Sequence, residues 1–325
     1  MPETGTPFSI EAHGLTKTYG DVRALDGLDV SVPSGTVFGL LGPNGAGKST
    51  AVKILTTLAR PTSGTALVQG IDVLRHPGRV RRKIGVVAQK SGSDPMATGR
   101  ENLVLQGRLY GVADPRARAG ELLARFDLAD AADRLVKGYS GGMQRRLDVA
   151  LGLMHRPELL FLDEPTTGLD PEARAAMWLE ISHLAGEEGM TVLLTTHYLE
   201  EADRLADRIA IVDRGRVVAE GSPDALKGEL RGDVVQVELP EPADPLAESV
   251  LAGLPGVRDV LVAGRTISAR SDDGAGAVPS ILGALGEAGT AVAAVTVARP
   301  SLDDVYLRHT GRRYSQTAEQ EGASR

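Results

Sequence analysis

The chain has 325 residues, 42% hydrophobic and 24% charged, which is the composition of a soluble globular protein long enough for two domains. Its formal net charge of −7 and aromatic content of 3% argue against a nucleic-acid-binding protein, which needs a basic surface and stacking side chains. The absence of cysteine excludes disulfides, thiolate metal sites and a cysteine nucleophile.

No apolar run approaches the roughly 18 to 20 residues that span a bilayer. The opening stretch MPETGTPFSIEA also lacks the apolar core of a signal peptide. We therefore expect an intracellular protein with no direct membrane insertion. If it works at a membrane, another polypeptide must supply the spanning helices.

Strands and helices alternate over most of the chain. Apolar runs bounded by turn residues predict strands at 10–15, 28–32, 37–41, 65–68, 84–88, 159–162 and 191–195. Apolar residues at helical spacing predict helices at 50–58, 116–126 and 144–154. This alternation indicates an α/β domain with a parallel sheet over residues 9–225, and the stretch 98–155 is predicted to be a helical insertion in it.

The pattern changes near residues 221–232, where proline and glycines cluster. Beyond this point strands are predicted at 234–239, 257–262, 266–269 and 291–297, and helices at 246–254 and 278–288. The βαββαβ order favours a ferredoxin-like α+β domain over residues 226–310, with an irregular β-rich extension as the alternative. Residues 311–325 are polar, and we expect them to form a disordered tail.

A glycine-rich loop follows the apolar run 37–41 and fits the pattern G-x-x-x-x-G-K-[ST]. Its residues are Gly42, Pro43, Asn44, Gly45, Ala46, Gly47, Lys48, Ser49 and Thr50. Glycines let backbone N–H groups converge on phosphate oxygens, and the following helix N-terminus favours negative charge. We expect Lys48 to reach the β- and γ-phosphates of a nucleoside triphosphate, and the Ser49 hydroxyl to bind Mg²⁺.

Two acids end the apolar run 159–162. Carboxylates at the end of a buried strand beside a phosphate-binding loop are placed to bind a cation or to activate a water molecule. Asp163 fits the acid that holds Mg²⁺, directly or through water. Glu164 fits the residue that orients or deprotonates the attacking water.

The segment Tyr139-Ser140-Gly141-Gly142-Met143 is similar to the LSGGQ signature of ABC transporters. With the glycine-rich loop and the acidic strand end, it makes residues 9–225 resemble the nucleotide-binding subunit of such a transporter. The resemblance gives Ser140, Gly141 and Gly142 a phosphate-binding role at a helix N-terminus. Tyr139 and Met143 depart from the usual leucine and glutamine.

Four further residues match motifs of the family in their usual order. Gln89 matches the Q-loop glutamine, which contacts Mg²⁺ and water and couples to the membrane partner. Asp170 ends a segment that resembles the D-loop. His197 matches the switch histidine, which contacts the γ-phosphate and which we count with Glu164 and Lys48 as catalytic. Tyr19 resembles the aromatic residue that stacks on adenine.

The forms YSGGM, LDEPTTGLDP and PSLDDVYL together resemble ATPases of the daunorubicin-resistance type of exporter, as far as residue 311. The fold implied is a P-loop NTPase ABC cassette with a parallel sheet core, an antiparallel β subdomain and a helical subdomain. The activity implied is Mg²⁺-dependent ATP hydrolysis that drives efflux of a hydrophobic drug or natural-product antibiotic. The C-terminal domain has no catalytic constellation of its own.

The same resemblance implies two protein partners. Since the chain has one cassette and each ATP in this family lies between the P-loop of one subunit and the signature of another, a homodimer is expected. An integral membrane permease is the second partner, which would place the chain peripherally at the cytoplasmic face of the cell membrane. Nucleic acid is not expected as a partner.

Other ABC systems remain as alternatives. Lipid or polysaccharide exporters and importers share this architecture, and only the C-terminal resemblance argues against them. Ribosome-acting ABC ATPases resemble two fused cassettes with a basic linker, whereas this chain has one cassette. DNA-repair ABC ATPases need a long coiled coil between Lys48 and Ser140, where no sustained heptads occur.

Overall fold

The computed structural model describes residues 8–230, 232–312 and 314. The chain divides into two compact units, with the division after Ser222, close to the boundary predicted at residue 225. Among the described residues, no helix is both long and apolar enough to cross a bilayer.

The first unit alternates strands and helices. Its strands are β1 (Phe8–Tyr19), β2 (Val22–Pro33), β3 (Val37–Leu41), β4 (Ser63–Val68), β5 (Ile71–Asp72), β6 (Ile84–Val87), β7 (Leu159–Asp163), β8 (Thr191–Thr196), β9 (Arg208–Asp213) and β10 (Arg216–Gly221). Its helices are α1 (Lys48–Leu55), α2 (Pro77–Lys83), α3 (Gly99–Leu109), α4 (Pro115–Arg125), α5 (Gly141–Gly152), α6 (Pro171–Gly186) and α7 (Leu199–Leu205), with short 3₁₀ turns at Ala129–Ala131 and Val136–Gly138.

A six-stranded sheet in the order β10-β9-β3-β8-β7-β6 forms the centre of the unit. All neighbouring pairs are parallel except β10 with β9, as the predicted parallel core requires. Both faces of the sheet are covered, because in β7 Leu160 and Leu162 belong to one apolar cluster and Leu159 and Phe161 to another. The carboxyl ends of β3, β6, β7 and β8 lie along one edge, where open α/β sheets place their sites.

A four-stranded antiparallel sheet in the order β2-β1-β4-β5 completes the first unit. Strands β1 and β2 extend well beyond the predicted 10–15 and 28–32. Register shifts, such as the one between Lys17 and Thr18, allow their polar ends to remain paired. Apolar alternation could not predict this extension, because it depends on backbone pairing.

Helix α1 differs from its prediction at both ends. It begins at Lys48 rather than residue 50, directly after Gly47, whose φ of 110° is left-handed. It ends at Leu55 because Thr57 also has a positive φ, of 66°. Leu58, the last residue of the helix predicted at 50–58, therefore lies outside the helix and is 70% exposed.

The second unit contains β11 (Asp233–Glu238), β12 (Val257–Ala263), β13 (Thr266–Ser271) and β14 (Ala294–Ala298), with helices α8 (Pro223–Gly228), α9 (Pro245–Ala252), α10 (Gly274–Glu287) and α11 (Leu302–Thr310). Its sheet is antiparallel in the order β12-β13-β11-β14. Together with the βαββαβ sequence, this order is ferredoxin-like, as the sequence predicts. Val235 and Val237 pack with Ile281 and Leu285 in its core.

The predicted disordered tail, residues 311–325, lies largely outside the described residues. Tyr314, which is described, is buried and meets the Tyr306 ring edge-on at a centroid distance of 4.9 Å. Its backbone N–H donates to Asp303 Oδ1 at 3.0 Å. Tyr314 therefore packs against α11, whereas the rest of the predicted tail beyond residue 312 lies outside the described residues.

Candidate functional site

The glycine-rich loop connects β3 to α1 and needs glycine at two positions. A Cβ atom at Gly42 would lie 2.3 Å from the carbonyl oxygen of Val212. A Cβ atom at Gly47 would lie 2.6 Å from the carbonyl oxygen of Ala24, and the φ of 110° at Gly47 is itself unfavourable for other residues. The loop is thus pressed between β9 and β2.

Lys48 is buried inside the curve of this loop. Its Nζ donates to the carbonyl oxygens of Gly42 at 2.6 Å and Pro43 at 2.9 Å. These contacts aim a fixed positive charge at the helix N-terminus, where the backbone amides already favour an anion. The arrangement suits binding of a polyphosphate.

Ser49 and Asp163 meet across the sheet edge. The Ser49 hydroxyl donates to Asp163 Oδ1 at 3.3 Å, and Thr195 Oγ1 donates to the same oxygen at 2.6 Å. A hydroxyl and a carboxylate are the hard oxygen ligands that Mg²⁺ uses when phosphates and water complete its shell. No cluster of three or more metal-binding acids or histidines occurs in the described part of the chain, so the residues fit such a shared site rather than an all-protein one.

Glu164 follows β7 in a left-handed backbone conformation, with φ of 48°. Its N–H donates to both the carbonyl oxygen and the Oγ1 of Thr195 at 3.1 Å. Such a conformation is costly for a residue other than glycine, and these two contacts hold it. Its effect is to turn the carboxylate away from the strand direction.

Two predicted site residues, and Thr167, which was not predicted, converge on the Glu164 carboxylate. His197 Nδ1 lies 3.3 Å from Oε1, while Gln89 Nε2 donates to Oε2 at 2.9 Å and Thr167 Oγ1 donates to it at 3.3 Å. The His197 ring, 3.3 Å away, then the charge of Lys48 and the Thr167 hydroxyl, lower the Glu164 pKa despite its burial. Glu164 is therefore ionised at neutral pH, as a proton acceptor must be.

The predicted signature residues lie at the start of α5. The Ser140 side chain caps the helix by accepting from Met143 N at 3.3 Å, and Ser140 and Gly141 are exposed. Tyr139 is instead buried and donates to the Ala131 carbonyl oxygen at 2.7 Å, while burial raises its pKa. Gly142 lies close to α6: a Cβ atom at this position would be 3.1 Å from Ala173 Cβ. The tyrosine at position 139, where the family usually has leucine, is thus accommodated in the interior, and Ser140 and Gly141 stay exposed to solvent.

Three groups of predicted site residues are not joined to the Glu164 cluster by any hydrogen bond recorded within the described residues. Tyr19 is exposed at the end of β1, with Lys17 Nζ 4.7 Å from its ring centroid. Asp170 caps α6 by accepting from Ala173 N at 2.8 Å. The signature residues at the start of α5 form the third group. Lys48, Ser49, Gln89, Asp163, Glu164 and His197 are the residues that the structure brings together.

Two buried charged residues on α5 were missed by the sequence reasoning. Arg145 donates to the carbonyl oxygens of Ala88 at 2.6 Å, Asp163 at 3.0 Å and Pro165 at 2.8 Å, and burial lowers its pKa. Asp148, one turn later, accepts from Ser91 Oγ at 2.8 Å, and burial raises its pKa. The signal was an arginine and an aspartate three positions apart on a helix that is otherwise apolar on that face.

Comparison with known families gives two matches along the chain. Residues 25–167 match the model of the ABC transporter family. Residues 221–310 match the C-terminal domain of ATP-binding proteins like DrrA1-3.

Curated relatives match almost the whole chain. The sequence is 52% identical to daunorubicin resistance ATP-binding protein DrrA3 of Streptomyces coeruleorubidus, over 93% of this chain and 96% of that protein. It is 47% identical to daunorubicin/doxorubicin resistance ATP-binding protein DrrA of Streptomyces peucetius, over 97% and 96%. It is also 41% identical to Nod factor export ATP-binding protein I of Burkholderia thailandensis, over 93% and 97%.

Solved structures resemble the first unit. A dimeric post-hydrolysis state of the ATP-binding cassette MJ0796, bound to ADP and phosphate, matches with a TM-score of 0.61 and 29% identity, over 66% of this chain and 98% of that one. The cassette cbiO1 of Clostridium perfringens, part of the transporter complex cbiONQ, matches with a TM-score of 0.63 and 26% identity, over 69% and 92%.

Proposed function

Because the chain belongs to the family of ABC transporter ATP-binding proteins, we propose that it is the subunit that hydrolyses ATP to drive efflux of a hydrophobic drug or natural-product antibiotic. The observation that carries the catalytic part is the ionised Glu164 carboxylate, held beside His197 at the sheet edge that also bears Lys48. The cargo class follows from the names of the relatives at 47% and 52% identity. Export of a Nod factor is the second candidate, favoured by the relative at 41% identity.

In the proposed hydrolysis, Glu164 accepts the proton of a water molecule whose oxygen bonds to the γ-phosphorus. The bond from that phosphorus to the β–γ bridging oxygen breaks, ADP leaves, and Lys48 neutralises charge on the β- and γ-phosphates. His197 then contacts the γ-phosphate and keeps the carboxylate oriented. Ser49 and Asp163 would hold Mg²⁺, which supplies charge neutralisation at the phosphate oxygens. Gln89, whose amide donates to Glu164, would be a further ligand of the same ion, so its side chain would connect Mg²⁺ with the carboxylate.

The exposed signature supports a homodimer as the working unit. Ser140 and Gly141 present a capped helix N-terminus to solvent, and the chain carries one cassette. We infer that this edge binds the ATP held by the glycine-rich loop of a second copy. A dimeric state is also named for one of the similar solved cassettes.

An exposed apolar surface on and just before α3 supports docking of a membrane permease. Met96, Leu105 and Leu109 are exposed there. Of these, Leu105 lines a groove of about 420 Å³ together with Asp94, Arg100 and Arg108. The residues that line the groove begin at Asp94, soon after Gln89 in the chain. A partner bound in the groove would therefore be coupled to the conformation of the Q-loop. Such docking would hold the chain peripherally at the cytoplasmic face of the membrane.

The proposal is tested with the Glu164→Gln variant, tagged in its native cell and purified from gently solubilised membranes with ATP present. The variant should bind ATP, dimerise and turn over ATP at least about a hundredfold more slowly than wild type. A polytopic membrane protein should copurify in stoichiometric amount, and its amount should fall in the control Lys48→Ala, which lacks the phosphate contact.

Two results would contradict the proposal separately. Turnover near the wild-type rate in Glu164→Gln would remove the role assigned to that carboxylate. Copurification of ribosomal or DNA-bound proteins without a membrane protein would leave the ATPase intact and remove the exporter assignment.

A further inference from the structure

A second glutamate, Glu201, is buried on α7 and has no part in the hydrolysis described above. It is 1% exposed, and its Oε1 accepts from Thr166 Oγ1 at 2.7 Å and from Trp178 Nε1 at 3.2 Å. Within the described chain, Oε2 has no hydrogen-bond partner. The buried Arg145 guanidinium is near enough for Glu201 to raise its pKa, but Arg145 gives its hydrogen bonds to backbone carbonyl oxygens. Burying a carboxylate with one unsatisfied oxygen is expensive, so packing alone does not explain it.

The positions of these partners link two segments of the site. Thr166 lies two residues after Glu164, in the turn that leaves β7, and is completely buried. His197 directly follows β8, and Glu201 lies four residues later, in α7. The contacts Glu164–His197 at 3.3 Å and Thr166–Glu201 at 2.7 Å therefore join the same two segments at two points.

A two-point attachment fixes an orientation that a single contact would leave free to pivot. The first point, at His197, is also braced from the side. The Tyr198 ring lies 4.1 Å from the His197 ring, between centroids, and the Arg174 guanidinium is 5.4 Å from the Tyr198 ring. A carboxylate suits the role, because one of its oxygens accepts from two donors on different elements at once.

We propose that Glu201 is a positioning residue for ATP hydrolysis, which holds the His197 segment in register with the Glu164 segment through the Thr166 hydroxyl. The inference rests on the role proposed above for His197. Since the hydrogen bonds of Glu201 go to Thr166 and Trp178 rather than to the glycine-rich loop, its loss should slow the chemical step and leave nucleotide affinity almost unchanged.

The test measures kcat and KM for ATP in the full-length protein. Glu201→Ala and Thr166→Val should each lower kcat about tenfold or more, with KM within about twofold of wild type. Thr166→Ser, which restores the hydroxyl, should recover most of the rate. The double variant Glu201→Ala/Thr166→Val should be no slower than the slower single variant, because both changes break the same hydrogen bond.

A spectroscopic control separates positioning from loss of the fold. Trp178 is the single tryptophan of the chain, so its emission reports directly on the environment of Glu201. Thr166→Val leaves the Trp178–Glu201 contact in place and should keep wild-type emission while losing rate. The lost hydrogen bond to a buried carboxylate should lower the thermal midpoint, but unfolding should stay cooperative. If Glu201→Ala does not fold, Thr166→Val and Thr166→Ser carry the same comparison.

Rates within about twofold of wild type in folded Thr166→Val would overturn the inference. Additive losses in the double variant would do the same, since they would mean independent effects. His197→Ala is measured alongside. Wild-type turnover in that variant would remove the role proposed for His197, whereas slow turnover with unaffected Glu201 and Thr166 variants would remove the positioning role alone.

Discussion

Glu164, the proposed proton acceptor, combines a buried carboxylate with an unfavourable backbone. Its φ of 48° places a side chain in the left-handed region, and the two bonds to Thr195 maintain it. A strained residue at a catalytic position is a common compromise between activity and stability. The strain should therefore be measurable separately from the chemistry.

We predict that Glu164→Gly is more stable than Glu164→Ala by about 1 kcal/mol, because glycine occupies the left-handed region without the Cβ clash. Both variants should lose hydrolysis. Chemical denaturation of the two proteins measures the difference in the free energy of unfolding. Arg214, with φ of 48° in the turn between β9 and β10, is the matched control. There the same glycine–alanine difference should appear with hydrolysis intact, and equal stability of the two variants at both positions would contradict the explanation.

At the residue scale, the sequence predicted the cluster at the sheet edge and missed what supports it. Lys48, Asp163 and His197 stand in motifs whose chemistry depends on order and spacing along the chain. Arg145 and Glu201 stand within amphipathic helices, where a charged residue is ordinarily assigned to the solvent side. Only the tertiary structure shows that these two are buried and which carbonyl or hydroxyl each contacts.

At the scale of elements, the apolar strands were the most predictable part of the fold. The residues of β3 are all buried, as are all but the last of β7, and such continuous apolar runs predict central parallel strands. The ends of α1 were not predictable, because they are set by local φ values at Gly47 and Thr57. Helix periodicity gives the existence of an element more reliably than its limits.

Helix α3 carries the element-scale prediction. Leu105 and Leu109 are 57% and 73% exposed on one side of the helix, while Leu103 is buried on the other. If this side binds the permease, Leu105→Asp and Leu109→Asp should each weaken association by about 2 kcal/mol, roughly thirtyfold, through lost apolar burial. ATP hydrolysis by the isolated protein should stay unchanged.

Copurification of the membrane partner from native membranes measures this effect. Leu179→Asp is the matched control, since Leu179 is 70% exposed on α6, away from the groove residues in sequence. Association that survives both α3 variants, or that is lost equally in Leu179→Asp, would mean that the permease binds elsewhere.

At the scale of the whole molecule, proline and glycines cluster at residues 221–232, and the chain divides into two compact units after Ser222. The ferredoxin-like strand order of the second unit followed from its βαββαβ sequence. The proposed assembly of complete ATP sites needs a second chain. The signature residues Ser140 and Gly141 are exposed, and no hydrogen bond recorded within the described residues joins them to the glycine-rich loop.

Complementation between two inactive variants tests the proposed two-fold assembly. Lys48→Ala disables the loop and Ser140→Arg disables the signature, so each homodimer should be inactive. In a mixed dimer, one site would combine the intact loop of one chain with the intact signature of the other. An equal mixture should regain about a quarter of the wild-type rate, because half of the dimers are mixed and one site of two is intact in each.

The control for complementation mixes Lys48→Ala with the double variant Lys48→Ala/Ser140→Arg, which cannot form an intact site in any combination. ATPase activity is measured after the chains have been mixed, with ATP present to promote exchange. If each site were built within one chain, the first mixture would show only the average of its two inactive components. Recovery in the first mixture and none in the second would require that Lys48 and Ser140 act across the dimer interface, which makes the homodimer the smallest complete ATPase.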